Sequence, residues 1–385
     1  MVSRAVDKTD TTSQHTNEYK VNSVSCGELQ KLDRQISKSA DYSDEGSGCE
    51  KLSQPKWDGF RCLVFRDEGN IFLQSRTGKS LTSAFPEIGA AFRALSPKRF
   101  VLDGELALPT EHGFSFDGFV NRLRIGSARL ALEARDSPAI YIAFDMLANS
   151  ENLLGSPFRL RRKALERFFE NSVPRSSSLY LSASTEDLRE VEKWVGHIGQ
   201  QLDGIIAKRA DAPYRPGDDH STVKIKNYRS ADCVIGGFRD HSIGSARNEL
   251  LLGLYDQKGH LQYVSSVGID AKQKQEVGNL RPKKTTTFYD RQPGEKSHWS
   301  GEAAGPWKPV APTKVVEVRY DHFSEGRFRH GCTFLRMRPD KLAKDCLLEQ
   351  VVEDAAIQDI NAFIEAGLAT VGRREARQGE SLFSP

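Results

Sequence analysis

The chain has 385 residues, 38% of them hydrophobic and 28% charged, and a formal net charge of +3. That length exceeds the usual single domain, so two domains plus tails are expected, each able to bury its own core. No stretch approaches the ~20 apolar residues of a membrane-spanning helix and no charged-then-apolar leader opens the sequence, so the cytoplasm is the expected compartment; the cysteines show no C-x-x-C pair, so buried free thiols are expected rather than a zinc site or disulfide framework.

Residues 1–48 are rich in Ser, Thr, Asp and Lys with few aromatics, and are expected to be disordered or loosely attached. From 49 to 229, strand-like runs at 62–65, 100–108, 140–147 and 204–208 alternate with helical patterns, as an α+β core requires. Ser156 and Pro157 read as the N-cap and first residue of a helix carried by Leu160, Leu165 and Phe168. Another helix is expected to start at Ser184 or Thr185. Its Leu188, Val191, Trp194, Val195 and Ile198 recur at helical spacing, which assigns Trp194 to a core rather than to base stacking.

A second domain, 230–350, opens near Ala231. Its runs at 233–238, 249–255, 261–267 and 315–320, split by glycines and polar turns, suggest a small Greek-key barrel. The stretch 272–307 holds two candidate strands at most. In 351–385, Val351, Val352, Ala355, Ile357, Ile360, Phe363 and Ile364 read as an amphipathic helix ahead of a polar tail.

The chemistry concentrates in short motifs. Lys56-Trp57-Asp58-Gly59-Phe60-Arg61 places a lysine, a carboxylate, a flexible glycine and an arginine within one short turn. A lysine amine attacks phosphorus only when deprotonated, and its reference pKa near ~10.4 keeps it charged in water. A site using Lys56 as nucleophile must lower that value through cations such as Arg61, a bound metal and desolvation. Ser75-Arg76-Thr77-Gly78-Lys79 forms a basic turn able to reach a phosphate or ribose. Leu102-Asp103-Gly104-Glu105-Leu106 sets acids inside an apolar strand, where they need partners. Phe144-Asp145 puts a ring for stacking a purine, and an acid, at a strand end. Asp203 and Lys208 share the next strand, while Lys224 and Lys226 lie on one face of another, as suits a polyphosphate. Between Arg327 and Lys344 six Lys or Arg stand against the single acid Asp340, a pattern that fits phosphate contacts or an ordinary solvated face.

In this order the series resembles the covalent nucleotidyltransferase superfamily of ATP-dependent DNA ligases, RNA ligases and mRNA capping enzymes, over about residues 50–350. Tyr214-Arg215-Pro216-Gly217, the run Ala-Asp-Cys-Val-Ile-Gly-Gly-Phe at 231–238, and Arg329-His330-Gly331 with Phe334-Leu335-Arg336 resemble the small bacterial C-type ligases and the ligase module of bacterial end-joining enzymes. The resemblance implies an adenylation core of antiparallel sheets with flanking helices, followed by an all-β OB-fold barrel. It further implies that Lys56 attacks the α-phosphorus of ATP, releasing pyrophosphate and leaving a lysyl-adenylate. AMP then passes to the 5′-phosphate of a nick, and the 3′-hydroxyl displaces it.

On that resemblance Asp58, Arg61, Lys224 and Lys226 join Lys56 in catalysis. Gln54, Arg76, Glu105, Phe144, Asp203, Arg338, Asp340 and Lys341 bind the nucleotide, with Glu105 and Asp203 also holding Mg2+ or Mn2+. The implied partners are nicked duplex DNA and repair or end-joining proteins, for a monomer in the bacterial cytosol. Too few residues precede Lys56 for a large N-terminal DNA-binding domain. The C-terminal motif is expected to face the triphosphate in one step and swing away in others, about a hinge at 227–232. Asp203 and Gln54 stand where relatives often carry glutamate, and the lead-in 48–53 lacks their apolar character. Arg336 reads equally as a structural or a DNA-contacting arginine, and His330 as scaffold rather than acid-base catalyst. An RNA ligase, a GTP-using capping enzyme and a non-catalytic OB-type nucleic-acid binder are the alternatives; the last leaves Lys56, Glu105 and Lys224 unexplained.

Overall fold

The polar lead-in to Lys56 forms a buried edge strand, β1 (Lys51–Lys56), in the computed structural model. Residues 20–21, 24–25, 50–110, 113–191, 194, 202–216, 221–226, 228–239, 248–290, 292–294, 306–324, 326–352 and 364 are described. Within 1–48, expected to be disordered or loosely attached, Lys20–Val21 and Val24–Ser25 pair antiparallel, while the rest of 1–48 and most of 351–385 lie outside the described residues. Leu52, Ser53, Gln54 and Pro55 are buried although the segment looked too polar for a core. Backbone bonding accounts for this, since Ser53 and Thr185 exchange both amide hydrogen bonds at 2.8 and 3.0 Å. Pro55 has no N–H to give, which an edge strand tolerates.

A tight turn at 57–59 leads into β2 (Phe60–Asp67) and β3 (Asn70–Ser75), followed by α1 (Pro86–Arg93), β4 (Arg99–Ala107), α2 (Phe116–Arg122), α3 (Ser127–Asp136), β5 (Ile140–Asn149), α4 (Phe158–Ser172) and β6 (Leu179–Leu181). The sheet runs β5-β4-β2-β3 with antiparallel neighbours, and β6 adds parallel to β5. Strand alternation turns Cys62, Val64, Leu73, Leu102 and Tyr141 to one face, where Ile88 and Phe92 of α1 and Leu165 and Phe168 of α4 complete the core. Leu63, Phe65, Val101 and Leu147 form a smaller cluster on the other face. Burial of each large apolar side chain contributes ~1.5–3 kcal/mol.

Helix α4 starts one residue later than its sequence suggests. Pro157 is the N-cap, and Ser156 supplies no side-chain cap. The first-turn amides of Phe158 and Arg159 donate instead to the carbonyls of Ala212 and Ala210, at 2.8 and 2.9 Å. Neither Ser184 nor Thr185 opens the next helix: Thr185 is bridged to Ser53, and helical residues begin after Asp187, whose carboxylate accepts the Arg189 amide at 2.9 Å. Trp194 is helical and half-buried, and Val195 and Ile198 lie outside the described residues.

Strands β7 (Gly204–Arg209) and β8 (Thr222–Lys226) join β1 in the order β8-β7-β1. Gly204 stands opposite Lys56 on one side and Lys226 on the other, so this sheet gathers the lysines and the preceding Asp203 at one end. At Gly204 φ is +136° and a Cβ would strike the Ile225 carbonyl oxygen, so glycine is required.

The main sheet of the second unit is built from β9 (Arg229–Arg239), β10 (Asn248–Tyr255), β11 (Leu261–Ile269), β12 (Lys308–Pro309), β13 (Val315–Tyr320) and β14 (Thr333–Met337), with α5 (Ala271–Val277) after β11. Their sheet order is β11-β10-β9-β13-β14, with β12 paired to β9. A second core of Val234, Leu251, Val264, Val316 and Val318 fills this unit. Residues 229–232, expected as a hinge, are strand: they pair with 317–320, and Ala231 is buried between exposed or half-buried polar neighbours. Asn227 lies outside the described residues. Within 272–307 the structure has helix α5, fixed by a capping box between Asp270 and Gln273, and Phe288, which enters the second core. Only Val277 of α5 is buried, so the helix leaves almost no apolar period to read. No described helix is long and apolar enough to cross a membrane.

Candidate active site

A cavity of about 960 Å³ is lined by β1, β2, β4, β5, β7 and β8, by the turn after β3, and by Arg329 and His330 of the second unit. Gln54, Lys56, Asp58, Arg61, Arg76, Glu105, Phe144, Asp203, Lys224 and Lys226 all line it, although the sequence spreads them over 54–226. Gly59 makes the turn possible by close approach rather than flexibility, because a Cβ there would lie 2.9 Å from Glu105 Cγ.

Lys56 Nζ is ion-paired with Asp203 Oδ2, while Asp203 Oδ1 is buried without a hydrogen-bond partner among the described residues. Burial pushes the Asp203 carboxyl up, but the Lys56 charge and hydrogen bond outweigh it and hold the group below the usual carboxylate range. Burial drives the Glu105 carboxyl up to about 8, against the opposing pull of Lys56 and Arg61. Arg61 is fixed by Asp103, which accepts from Nε at 3.0 Å and Nη2 at 2.7 Å. Tyr214 completes that triangle: its hydroxyl accepts from Arg61 at 2.9 Å and donates to Asp103 at 3.0 Å.

The base end of the cavity is aromatic. Gln54 Nε2 donates to the Phe144 carbonyl at 3.0 Å. Lys208 Nζ lies 4.9 Å from the Phe144 ring centroid and 4.6 Å from that of Phe158, and burial lowers its ammonium to about 8 despite Asp145 at 3.7 Å. Phe144 and Asp145 sit in the middle of β5, not at a strand end. Asp145 is a scaffold acid, held by Arg161 Nε and Nη2 at 2.9 and 3.0 Å.

Asp58 is committed across the two units. Arg329 clasps its carboxylate with both Nη groups, Nη1 to Oδ2 at 3.0 Å, and His322 Nε2 lies 3.4 Å away. Burial raises Asp58 to about 6 against the pull of Arg329, and burial with Arg329 nearby lowers His322 to about 4. Lys226 likewise donates across to Asp321 at 3.1 Å, which also pairs with His330 at 2.9 Å.

The structure does not bring Arg338, Asp340 or Lys341 to the cavity. Arg338 Nη1 grips both oxygens of Asp232 at 2.8 and 3.0 Å, its Nη2 reaches Asp340 at 2.8 Å, and Lys341 lies 3.8 Å from Asp232. Arg336 pairs with Glu317 at 2.7 Å on an exposed surface. The basic stretch 327–344 is therefore not one unpaired patch: Arg329, Arg336, Arg338 and Lys341 all have acid partners. Tyr214, Lys208 and the cross-unit Asp321, His322 and Arg329 were not assigned site roles from sequence. Lys208 had a usable signal, its place with Asp203 in one acid-plus-lysine run; the others depend on contacts across the fold. The described cysteines are free thiols, Cys62, Cys233 and Cys346 buried and Cys332 half-buried.

Comparison with known proteins assigns this assembly to a class. An ATP dependent DNA ligase domain is matched over residues 34–226 and an ATP dependent DNA ligase C terminal region over 244–341. The chain belongs to the ATP-dependent DNA ligase family. Within that family it is similar to DNA ligase C2 of Mycolicibacterium smegmatis, 36% identical over 318 residues that cover 77% of this chain and 89% of that protein. DNA ligase C of Mycobacterium tuberculosis is 36% identical over 319 residues, 77% of this chain and 88% of that protein. The multifunctional non-homologous end joining DNA repair protein LigD of Mycobacterium tuberculosis is 32% identical over 308 residues, 76% of this chain and 37% of that protein.

Proposed function

We propose that this ATP-dependent DNA ligase seals 5′-phosphate/3′-hydroxyl nicks in duplex DNA through an AMP carried on Lys56. The placement of Lys56 carries the reading: its amine ends β1 in the wall of the cavity, with Asp203 in contact and Arg61, Lys224 and Lys226 lining the same space. Attack on the α-phosphorus, transfer of AMP to the 5′-phosphate and its displacement by the 3′-hydroxyl are all in-line substitutions at phosphorus. Each needs fixed geometry and neutralised negative charge. Lys224 and Lys226 project from one strand face to meet the α-phosphate, and Arg61 and Arg76 meet the sugar-phosphate or the DNA end. Glu105 reaches the ribose and Phe144 offers a stacking face for adenine. Gln54 supports ATP over GTP: with Nε2 donating to Phe144, its carbonyl oxygen can accept from the 6-amino group of adenine, where guanine carries an oxygen acceptor.

The orphaned Asp203 oxygen fits a hard cation, and Asp203 with Glu105 would hold Mg2+ or Mn2+, the phosphates and water completing its shell. No group of three or more His, Cys, Asp or Glu among the described residues forms a metal cluster. Such an ion supplies charge neutralisation at the phosphates. The chain divides into an adenylation domain over 49–229 and an OB-fold domain over 230–350, the latter supported by its five-strand antiparallel order. Arg338, Asp340 and Lys341 reach the pyrophosphate only in another arrangement of the two units. The likeness to LigD supports a role in repair, with end-joining proteins as partners. The molecule acts as a monomer in the bacterial cytosol.

A 5′-phosphorylated nick in duplex DNA, incubated with a divalent cation and either ATP or GTP, tests the reading. Sealing with ATP that disappears in Lys56→Ala is expected; sealing that survives the substitution contradicts it.

A further inference from the structure

Two segments of the second unit, 321–322 after β13 and 329–330, reach the adenylation side of the molecule together. Arg329 and His322 meet Asp58, while Asp321 meets Lys226. The Asp321 side chain is only 5% exposed, and its Oδ2 serves both Lys226 Nζ at 3.1 Å and His330 Nδ1 at 2.9 Å. Its Oδ1 is buried without a hydrogen-bond partner among the described residues. Lys226 is thus engaged by a carboxylate from the other unit, though its strand position, across Gly204 from Lys56, puts it at the same end of the sheet as Lys56 and in the cavity lining.

An ammonium paired with a carboxylate presents little net charge to a phosphate, and the carboxylate repels a polyphosphate that approaches it. Seating of Asp321 and occupation of Lys226 by a nucleotide phosphate therefore compete. The C-terminal cations agree with this, since Arg338 and Lys341 are turned to Asp232 in the same arrangement.

We propose that Asp321 is a positioning residue, steadied by His330, that withholds Lys226 from the nucleotide phosphate while this face of the C-terminal unit is docked and releases it when the unit lifts. The inference rests on Lys226 as a phosphate-binding lysine. Charging of Lys56 is then slowed by docking, and the brake is electrostatic.

The test is a double-variant cycle on lysyl-adenylate formation, using α-labelled ATP with the full-length chain, in wild type, Asp321→Asn, Lys226→Ala and the double variant. Asp321→Asn is expected to lower the KM for ATP about fivefold, as befits a charged pair that is only part-buried. In the Lys226→Ala background the same substitution is expected to change nothing, because the effect runs through Lys226. His330→Gln, at a half-exposed position, loosens the same carboxylate and is expected to lower KM in the same direction, which keeps the test valid should Asp321→Asn fold poorly. An unchanged or raised KM in Asp321→Asn and His330→Gln, or an equal fall in the Lys226→Ala background, overturns the proposal while wild-type charging leaves the ligase chemistry standing. Failure of the wild type to take label overturns both.

Discussion

Lys208 shows how one buried charge can be read from its surroundings. Its ammonium lies between the Phe144 and Phe158 rings, and burial takes it from 10.5 to about 8. A base depressed in the folded state binds its proton less tightly there than in the unfolded chain, so the fold loses stability as pH falls from 10.5 through 8 and carries the full cost below. Lys208→Met is therefore expected to melt above the wild type at pH 7, with the gap closing toward pH 10.5. A melting difference independent of pH across that window contradicts the assignment. Tyr214 makes a second test: Tyr214→Phe leaves Arg61 and Asp103 each one hydrogen bond short, and should cost ~1 kcal/mol in denaturant unfolding. An unchanged midpoint would show that the hydroxyl adds nothing. That Lys56, Arg61, Glu105 and Lys224 share one cavity was legible because each sits in a compact motif. The Arg61–Asp103–Tyr214 triangle was not, because its members are separated by 42 to 153 residues and meet only after the strands pair.

At the scale of elements, alternation carried the strands well. The run 315–320 appears as β13 with the same limits, and 204–208 and 249–255 fall within one residue of β7 and β10. Failures came where partners distant in sequence override local character. The lead-in to Lys56 is a buried strand through its ladder with β7 and its exchange with Thr185, and α4 is capped by the carbonyls of 210 and 212. Residues 229–232 looked like a flexible polar link, yet pairing with β13 makes them strand. The register that places Asp203 beside Lys56 depends on Gly204. Gly204→Ala is expected to destabilise the fold by ~2 kcal/mol or more, from strain at positive φ and from the clash with Ile225. A melting temperature equal to the wild type's would mean the β8-β7-β1 sheet can shift to admit the methyl group.

For the whole molecule, the docked face joins chemistry to movement. Asp58 and Arg329 are both nearly buried, so Arg329→Ala leaves a carboxylate without its main partner and should cost ~3 kcal/mol in the docked arrangement. Small-angle scattering should then report a larger radius of gyration; an unchanged radius would show that the remaining contacts suffice. The expectation of two domains came from chain length and strand spacing. The cross-unit pairs could not, since no sequence pattern links 58 to 329 or 226 to 321. The account turns on Lys56 as the residue that carries AMP. Incubating the wild type and Lys56→Ala with magnesium and α-labelled ATP, and in parallel GTP, examines this most directly. The account predicts a protein-bound label from ATP alone that is stable to alkali, labile to acid and hydroxylamine, and absent from the variant. Label from GTP, label retained in Lys56→Ala, or no label on the wild type would contradict it.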